Sequence, residues 1–234
     1  MSWAVALATI LAAGTGISRG ASIIGNAADA EINDQGTLQN QNAATLMVGQ
    51  DNSSAGSASN AFFVFNLQGL VGTVASADVA LFLDAVKNPS FGGDLYGVGF
   101  SSSATTYPSA ADFNAGPTDA NATLIQVSFV TTSTATGQYV HTSTAGDTAL
   151  ANYLNTRPSG AAGDFVFLRL SQDSGSISGN RHYDFTSANG ATPQLPTLTV
   201  GMNSVPEPSS ALLGGTGALL GLGIAWRRRT RASA

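Results

Sequence analysis

The 234-residue chain predicts an all-β fold, a β-sandwich with one short helix, flanked at each end by an apolar targeting segment. Three observations lead there. Apolar alternations of period two recur through the middle of the chain with turn residues between them. Only residues 148–155 combine helical spacing with a preceding cap residue. The two longest uncharged stretches lie at the termini, outside this pattern.

Trp3 to Ile17 is uncharged and has the length of a signal-peptide apolar region, too short for a comfortable membrane span. Gly20, Ala21 and Ser22 follow, small residues where a signal peptidase could cut, so residues 1–22 are assigned to a signal peptide. The segment ahead of it has no lysine or arginine, and Arg19 stands beside the cut.

The strand pattern begins with Thr45–Val48. In the next strand Ala61, Phe63, Phe65 and Leu67 share one face, opposite Phe62, Val64 and Asn66. Val79, Leu81 and Leu83 alternate with Ala80, Phe82 and Asp84. Leu95–Phe100, Thr123–Val130, Tyr139–Ser143, Phe165–Leu170, Tyr183–Ser187 and Thr197–Val200 complete the set. Turn clusters at Asn88-Pro89-Ser90 and Ser171–Gly179 punctuate it, and the Ser/Gly/Asn-rich stretch from Gln50 to Asn60 reads as a mobile loop. Asp147 is expected as the N-cap of the helix, with Leu150, Tyr153 and Leu154 on its buried side and Pro158 beyond its end. Phe63, Phe65, Val79, Leu81, Phe165, Phe167 and Leu198 are the expected core, and residues 23–203 the domain.

The C-terminus carries the most specific signal. Val205-Pro206-Glu207-Pro208 precedes an uncharged run of 18 residues, Ser209 to Trp226, and then Arg227, Arg228, Arg229 and Arg231. As a helix that run would reach roughly 27 Å, close to the ~30 Å hydrocarbon core. Each arginine would cost roughly 2.5–3.5 kcal/mol at the bilayer centre, so the cluster acts as a topology stop on the cytoplasmic side. This tripartite tail, over residues 204–234, resembles the PEP-CTERM sorting signal of bacterial exosortase substrates. The resemblance implies export across the inner membrane and a membrane-anchored precursor. A membrane-embedded cysteine transpeptidase would cut it near Pro206-Glu207-Pro208, leaving the product at the cell surface or in the extracellular matrix. The alternative is a permanent tail anchor with Pro-Glu-Pro as a spacer.

A second resemblance lies in the middle. Asp29-Ala30-Glu31-Ile32, Leu46-Met47-Val48-Gly49 and Phe63-Val64-Phe65-Asn66-Leu67 come first. Val74-Ala75-Ser76-Ala77 follows as a short linker into an apolar strand. Phe185-Thr186-Ser187 and Pro196-Thr197-Leu198-Thr199-Val200 close the series. This order is similar to the DNRLRE-type domain of bacterial surface proteins, which implies a jelly-roll-like sandwich akin to carbohydrate-binding modules. The chain departs from that pattern at Ala188 and Asn189, where the family often has a glutamate, and in a short helix without the usual tryptophan.

Composition narrows the chemistry. About 185 residues remain between the two signals, enough for one domain with a substantial core. That middle holds Lys87, Arg157, Arg169 and Arg181 against thirteen aspartates and glutamates, a net charge near −9. Nucleic acid and anionic lipid are therefore unlike partners for it. The chain has no cysteine, which excludes disulfides, thiol catalysis and thiolate-bound metal.

No catalytic constellation stands out. His141 and His182 lie far apart in sequence, outside any Gly-x-Ser-x-Gly or His-Glu-x-x-His context. Glu31 is the only glutamate outside the tail, so a glycosidase pair of glutamates is ruled out and the aspartates show no paired spacing. An exported hydrolase is the minor alternative to a non-enzymatic role. Asp29, Glu31 and Asp34 form an oxygen cluster that a structural calcium could use; two solvated acids on an outward face explain it without a metal or other cofactor. Tyr96, Tyr107, Tyr139 and Tyr183 are the aromatics that could stack on pyranose rings of an exopolysaccharide. Asn52-Ser53-Ser54 and Asn121-Ala122-Thr123 match the glycosylation sequon, with little weight in a bacterial exported protein.

Overall fold

The computed structural model describes residues 20–51, 58–107, 122–173, 179–190 and 193–203. The N-terminal apolar stretch, both sequons, Val205–Pro208, the apolar run 209–226 and the arginine cluster lie outside these residues in whole or in part. Among the described residues no helix is long and apolar enough to cross a membrane.

The domain is built from twelve strands: β1 (Gly20–Ile24), β2 (Ala30–Asn33), β3 (Leu38–Gln39), β4 (Thr45–Gln50), β5 (Ala58–Asn66), β6 (Val74–Lys87), β7 (Gly93–Ser101), β8 (Thr123–Val130), β9 (Gln138–His141), β10 (Phe165–Gln172), β11 (Arg181–Thr186) and β12 (Thr197–Met202). Helix α1 (Thr144–Leu154) and a 3-10 turn at Ala161–Gly163 lie between β9 and β10. All pairings are antiparallel, in the order β1-β12-β6-β11-β4-β5-β10-β7-β8, with β2 and β3 joined through β5 and β9 through β6. Register shifts in the β10–β7, β11–β6, β12–β6 and β7–β8 ladders bend the strands, and the sheet curls.

Two strands make the curl possible by sharing an edge between two partners. On β6, Ala80 is paired with both Thr197 and His141, and Leu83 with both Phe185 and Gln138. A residue has one partner on each side, so β9 occupies one edge of β6, while β12 and β11 divide the other. Strand β5 repeats the arrangement: β2 lies along one edge, and β4 and β10 divide the other.

The concave side holds the main core. Phe63, Phe65, Val79, Leu81 and Leu198 lie in it as expected, with Leu46, Val48, Leu83, Leu95, Val166, Leu168, Leu170, Tyr183 and Phe185. Phe165 and Phe167 do not. They are on the opposite face of β10, where Phe167 joins Ile32, Phe62, Val64, Tyr96 and Val98 in a second cluster and Phe165 is only half-buried against it. Alternation alone could not reveal this, because β5 and β10 are buried on both sides. Ala104, Tyr107 and Ala122, in the segments after β7 and before β8, pack over the outer face.

Several boundaries differ from the sequence expectation. Val74–Ala77 is not a linker but the start of the 14-residue β6, with Ser76 and Ala77 paired to Gly201 and Val200. Ala58–Asn60 belong to β5 rather than to a loop. Helix α1 starts one turn early, with Ser143 as N-cap accepting from the Gly146 amide at 3.2 Å and Asp147 inside the first turn. Glycine is a poor helix former, and a Cβ at Gly146 would displace Gln126 Oε1, the end of the side chain that accepts the Ser143 amide at 2.6 Å. Leu150, Tyr153 and Leu154 are buried as expected. The Tyr153 ring lies on Gly97 of β7, where any Cβ would strike it, and its hydroxyl accepts the Gly99 amide at 2.7 Å.

Strand β1 begins inside the stretch assigned to the signal peptide. Gly20 to Ile24 pair with Gly201 to Thr197, and Ile23 packs against the core. A cut after Ser22 would remove three of those five pairs.

Phe65 is fully buried, whereas Phe165 keeps partial exposure. Phe65→Ala should therefore cost about 3–5 kcal/mol, and Phe165→Ala clearly less. Urea unfolding of both variants checks the order; equal losses would contradict the two-layer assignment.

Candidate functional site

The four tyrosines proposed for sugar stacking have unlike surroundings. Tyr183 is fully buried; its hydroxyl donates to the Phe91 carbonyl at 2.5 Å and its ring meets Phe91 edge-on. Burial, aided by Asp173, pushes its pKa up to about 12. Tyr96 is 4 % exposed and lies beneath the buried Arg169 guanidinium, 5.4 Å from ring centroid to Cζ. Neither ring can be offered to a pyranose. Tyr96 lies on the outer face of β7, which the second cluster covers, and Tyr183 faces the main core beside Phe185.

Tyr107 is half-buried, its ring edge-on to Phe62 and Phe167 and its hydroxyl bonded to the Ala28 carbonyl. It is a cover for the outer cluster. Tyr139 differs. On β9 it packs edge-on against Phe82, 5.4 Å between centroids, and its hydroxyl donates to the Pro193 carbonyl at 2.5 Å, which holds the ring in place while leaving part of it outside. His141, two residues on and on the same strand face, is exposed and pairs through Nδ1 with Asp78 Oδ2 at 3.0 Å. Direct strand pairing puts Asp78 on that face too, beside Thr199 and, beyond it, Ser22.

Behind this face sits a set of residues that sequence inspection passed over. Thr142 Oγ1 accepts the Val79 amide at 3.1 Å and lies 3.0 Å from Asp78 Oδ1 and 2.5 Å from Asp147 Oδ1. It joins β6, β9 and the start of α1. Only Asp147 was visible beforehand, through its place near the helix start, and its charge suits the positive end of the helix.

The acidic cluster is the clearest correction. Asp29 and Glu31 are not solvated: both are buried, and only Asp34, in the turn after β2, is exposed. Asp29 Oδ1 accepts the Val64 amide at 2.7 Å and Oδ2 accepts the Ala188 amide at 2.9 Å. One carboxyl thus ties the chain before β2 to β5 and to the segment after β11. Glu31 Oε1 accepts the Met47 amide at 2.7 Å and Oε2 accepts Asn40 Nδ2 at 3.0 Å. Asp29 holds two backbone amides and Glu31 one amide and the Asn40 side chain, while Asp34 lies exposed past the end of β2. Among the described residues no group of three or more His, Cys, Asp or Glu side chains is placed to hold a metal ion.

His182 lies 3.5 Å from Asp184 on β11, with Nδ1 3.3 Å from the Gln50 carbonyl. The two imidazoles thus serve separate strands and separate aspartates. A cleft of about 380 Å3 lies between the β5–β6 loop and the segment after α1, lined by Gln68, Val71, Arg157, Ser159 and Asp164 among others. Arg157 donates to the Leu70 carbonyl at 2.8 Å, and Gln68 Nε2 donates to Asp164 at 3.0 Å. Its polar groups mainly bind the loops to each other.

Comparison with known families finds the PEP-CTERM protein-sorting motif over residues 204–229. The motif implies an exported chain that is anchored in the membrane by its C-terminus and then processed by an exosortase. No curated protein matches the chain.

The buried carboxyls predict a pH dependence of stability. Burial pushes Asp29 from 3.8 up to about 7 against the pull of its two amide bonds, and burial likewise raises Glu31 and Asp184. Between about 4 and 7 the folded state holds a proton on Asp29 that the unfolded chain has released, so raising the pH destabilises. The thermal midpoint should fall from pH 4.5 to 8. Asp29→Asn, which sets an NH2 against a backbone amide, should be less stable and show a shallower fall, with Glu31 and Asp184 supplying the remainder. A midpoint rising across this window in the parent would contradict the assignment.

Proposed function

We propose that the chain is an exported, non-enzymatic cell-surface or matrix protein. Its jelly-roll-like β domain, of the DNRLRE type, is delivered by exosortase processing near Pro206-Glu207-Pro208. The observation that carries this is the placement of the sorting motif. It begins at residue 204, just after β12 ends at Met202, so nearly all of the chain before the signal is one folded cargo. The buried acids, occupied in holding backbone, support a structural role for them rather than a catalytic one. The exosortase and the export machinery are the partners this requires, with the membrane as a temporary one.

A second reading, binding to exopolysaccharide, is favoured by Tyr139 alone of the four tyrosines. Its ring is anchored at the hydroxyl and stands 6.2 Å from the His141 ring, which pairs with Asp78 on the same outward face. A ring with an apolar face beside hydrogen-bonding groups suits a sugar. The acidic domain favours a neutral polymer over an anionic one. On this reading Tyr139→Ala abolishes retardation in gels containing a neutral polysaccharide, while Tyr107→Phe leaves it unchanged; a Tyr139→Ala protein retarded like its parent excludes this face.

The sorting reading expects a short extended recognition segment. Each proline fixes its own φ, and Pro208 also disfavours the helical region for Glu207, which on sequence grounds would leave the scissile amides outside helical hydrogen bonds. Glu207→Ala should block maturation in a host with an active exosortase, with membrane-bound precursor accumulating on an immunoblot. Equal processing of the two proteins would reduce Pro-Glu-Pro to a spacer.

A further inference from the structure

We propose that the end of the sheet where β12 terminates faces the bilayer in the membrane-held precursor, with the Val71 side chain touching the lipid headgroup–acyl boundary. The proposal rests on the anchored-precursor reading and adds to it an orientation and a contact surface.

Three registers gather the relevant residues. Gly20 is paired with Gly201, so the chain enters the domain beside the place where it leaves. Met202 is paired with Val74, so β6 starts at this end too. Asn155, the C-cap of α1, receives the Val74 amide at 2.8 Å and donates to the Val74 carbonyl at 2.9 Å. The loop from β5 to β6 therefore belongs to the same end, and Val71 is three residues from Val74.

Chain length sets the reach. From Met202 to Ser209, where the apolar run begins, is seven residues, at most about 25 Å when fully extended. Strand β6, with 14 residues, would span about 45 Å if straight. The tether leaves from the Val74 end of β6, so the two ends of that strand are not equally free to approach the membrane. The end at Val74 is the near one.

What that end presents fits a lipid surface. Val71 is 81 % exposed, the most exposed of the large apolar residues among those described. Its loop, Leu67 to Thr73, carries no charge. The loop is also held firmly. Arg157 donates to the carbonyls of Leu67 and Leu70, and the Leu70 amide donates to the Leu67 carbonyl at 3.1 Å. The nearby Asp164 carboxylate accepts Gln68 Nε2. The far end of β6 is different in charge. There Asp51, Asp84 and Asp184 lie near one another beside Lys87, and Arg181 is paired with Gln50 next to Asp51. With three aspartates against two basic side chains that end gains nothing from anionic headgroups, whereas an uncharged loop with an aliphatic tip can meet them without repulsion.

The absence of cysteine makes the test clean. Val71→Cys and Lys87→Cys, both at exposed positions, are introduced singly into the full-length precursor and labelled with a fluorophore. Each is reconstituted into phosphatidylethanolamine–phosphatidylglycerol vesicles whose headgroups carry a nitroxide quencher. The proposal requires quenching several-fold stronger at position 71 than at 87. Equal quenching, or stronger quenching at 87, in a precursor that stays bound through an alkaline carbonate wash overturns the orientation alone. Release of the precursor by that wash overturns the anchored-precursor reading itself, and the orientation falls with it.

Discussion

Strand β6 is the constraint on which the rest of the sheet depends. With no disulfide available, the curled sheet closes through backbone pairing, and β6 supplies pairing sites to three strands at once. Its first half carries β12 and, through it, β1; its second half carries β11 and β4. Side chains on its concave face, Val79, Leu81 and Leu83, fill the middle of the main core. Its outer face is not idle, because Asp78 and Thr142 fasten it to β9 and to the start of α1. An element this long can bend across both parts of the sheet without breaking its ladder, which two shorter strands could not do.

The second organising feature is the use of buried carboxyls as ties between segments. Asp29 collects amides from β5 and from the segment before β12, while Glu31 collects one from β4. Both are short side chains in a domain with few charges, and each replaces contacts that a backbone ladder cannot make where the chain changes direction. A buried acid left without donors would be costly; two donors for each make the burial tolerable. The raised proton affinity of Asp29 shows that the compensation is incomplete.

Much of the fold was legible because it rests on period-two alternation. Thr123–Val130 was read to the residue, and Phe63, Phe65, Val79, Leu81 and Leu198 were placed in the core from pattern alone. The pattern failed where its assumption of one wet face failed. Phe167 and Tyr96 lie on strands covered from both sides, so the face each residue occupies said nothing about exposure. Glu31 and Asp29 failed for a related reason: composition treats an acid as solvated, and only tertiary donors reveal otherwise. The sorting signal was legible because its physics is local, a rigid acidic tripeptide, an apolar run of membrane length and a basic stop. The outward face around Tyr139 was only half visible, since Asp78 and Thr199 reach it from strands distant in sequence.

The pairing of Gly20 with Gly201 also has a kinetic side. The first strand of the domain finds its partner only in the last, across almost the whole chain, which is the slowest kind of contact to form. Strand β12 ends seven residues before the apolar run, so it is the last strand of the domain to be supplied, just ahead of the sorting segment. Until then β1 has no neighbour on β12, and the first half of β6 lacks the partner that will cover one of its edges. In a chain that crosses the membrane unfolded and N-terminus first, the sheet cannot be completed before its last strand emerges.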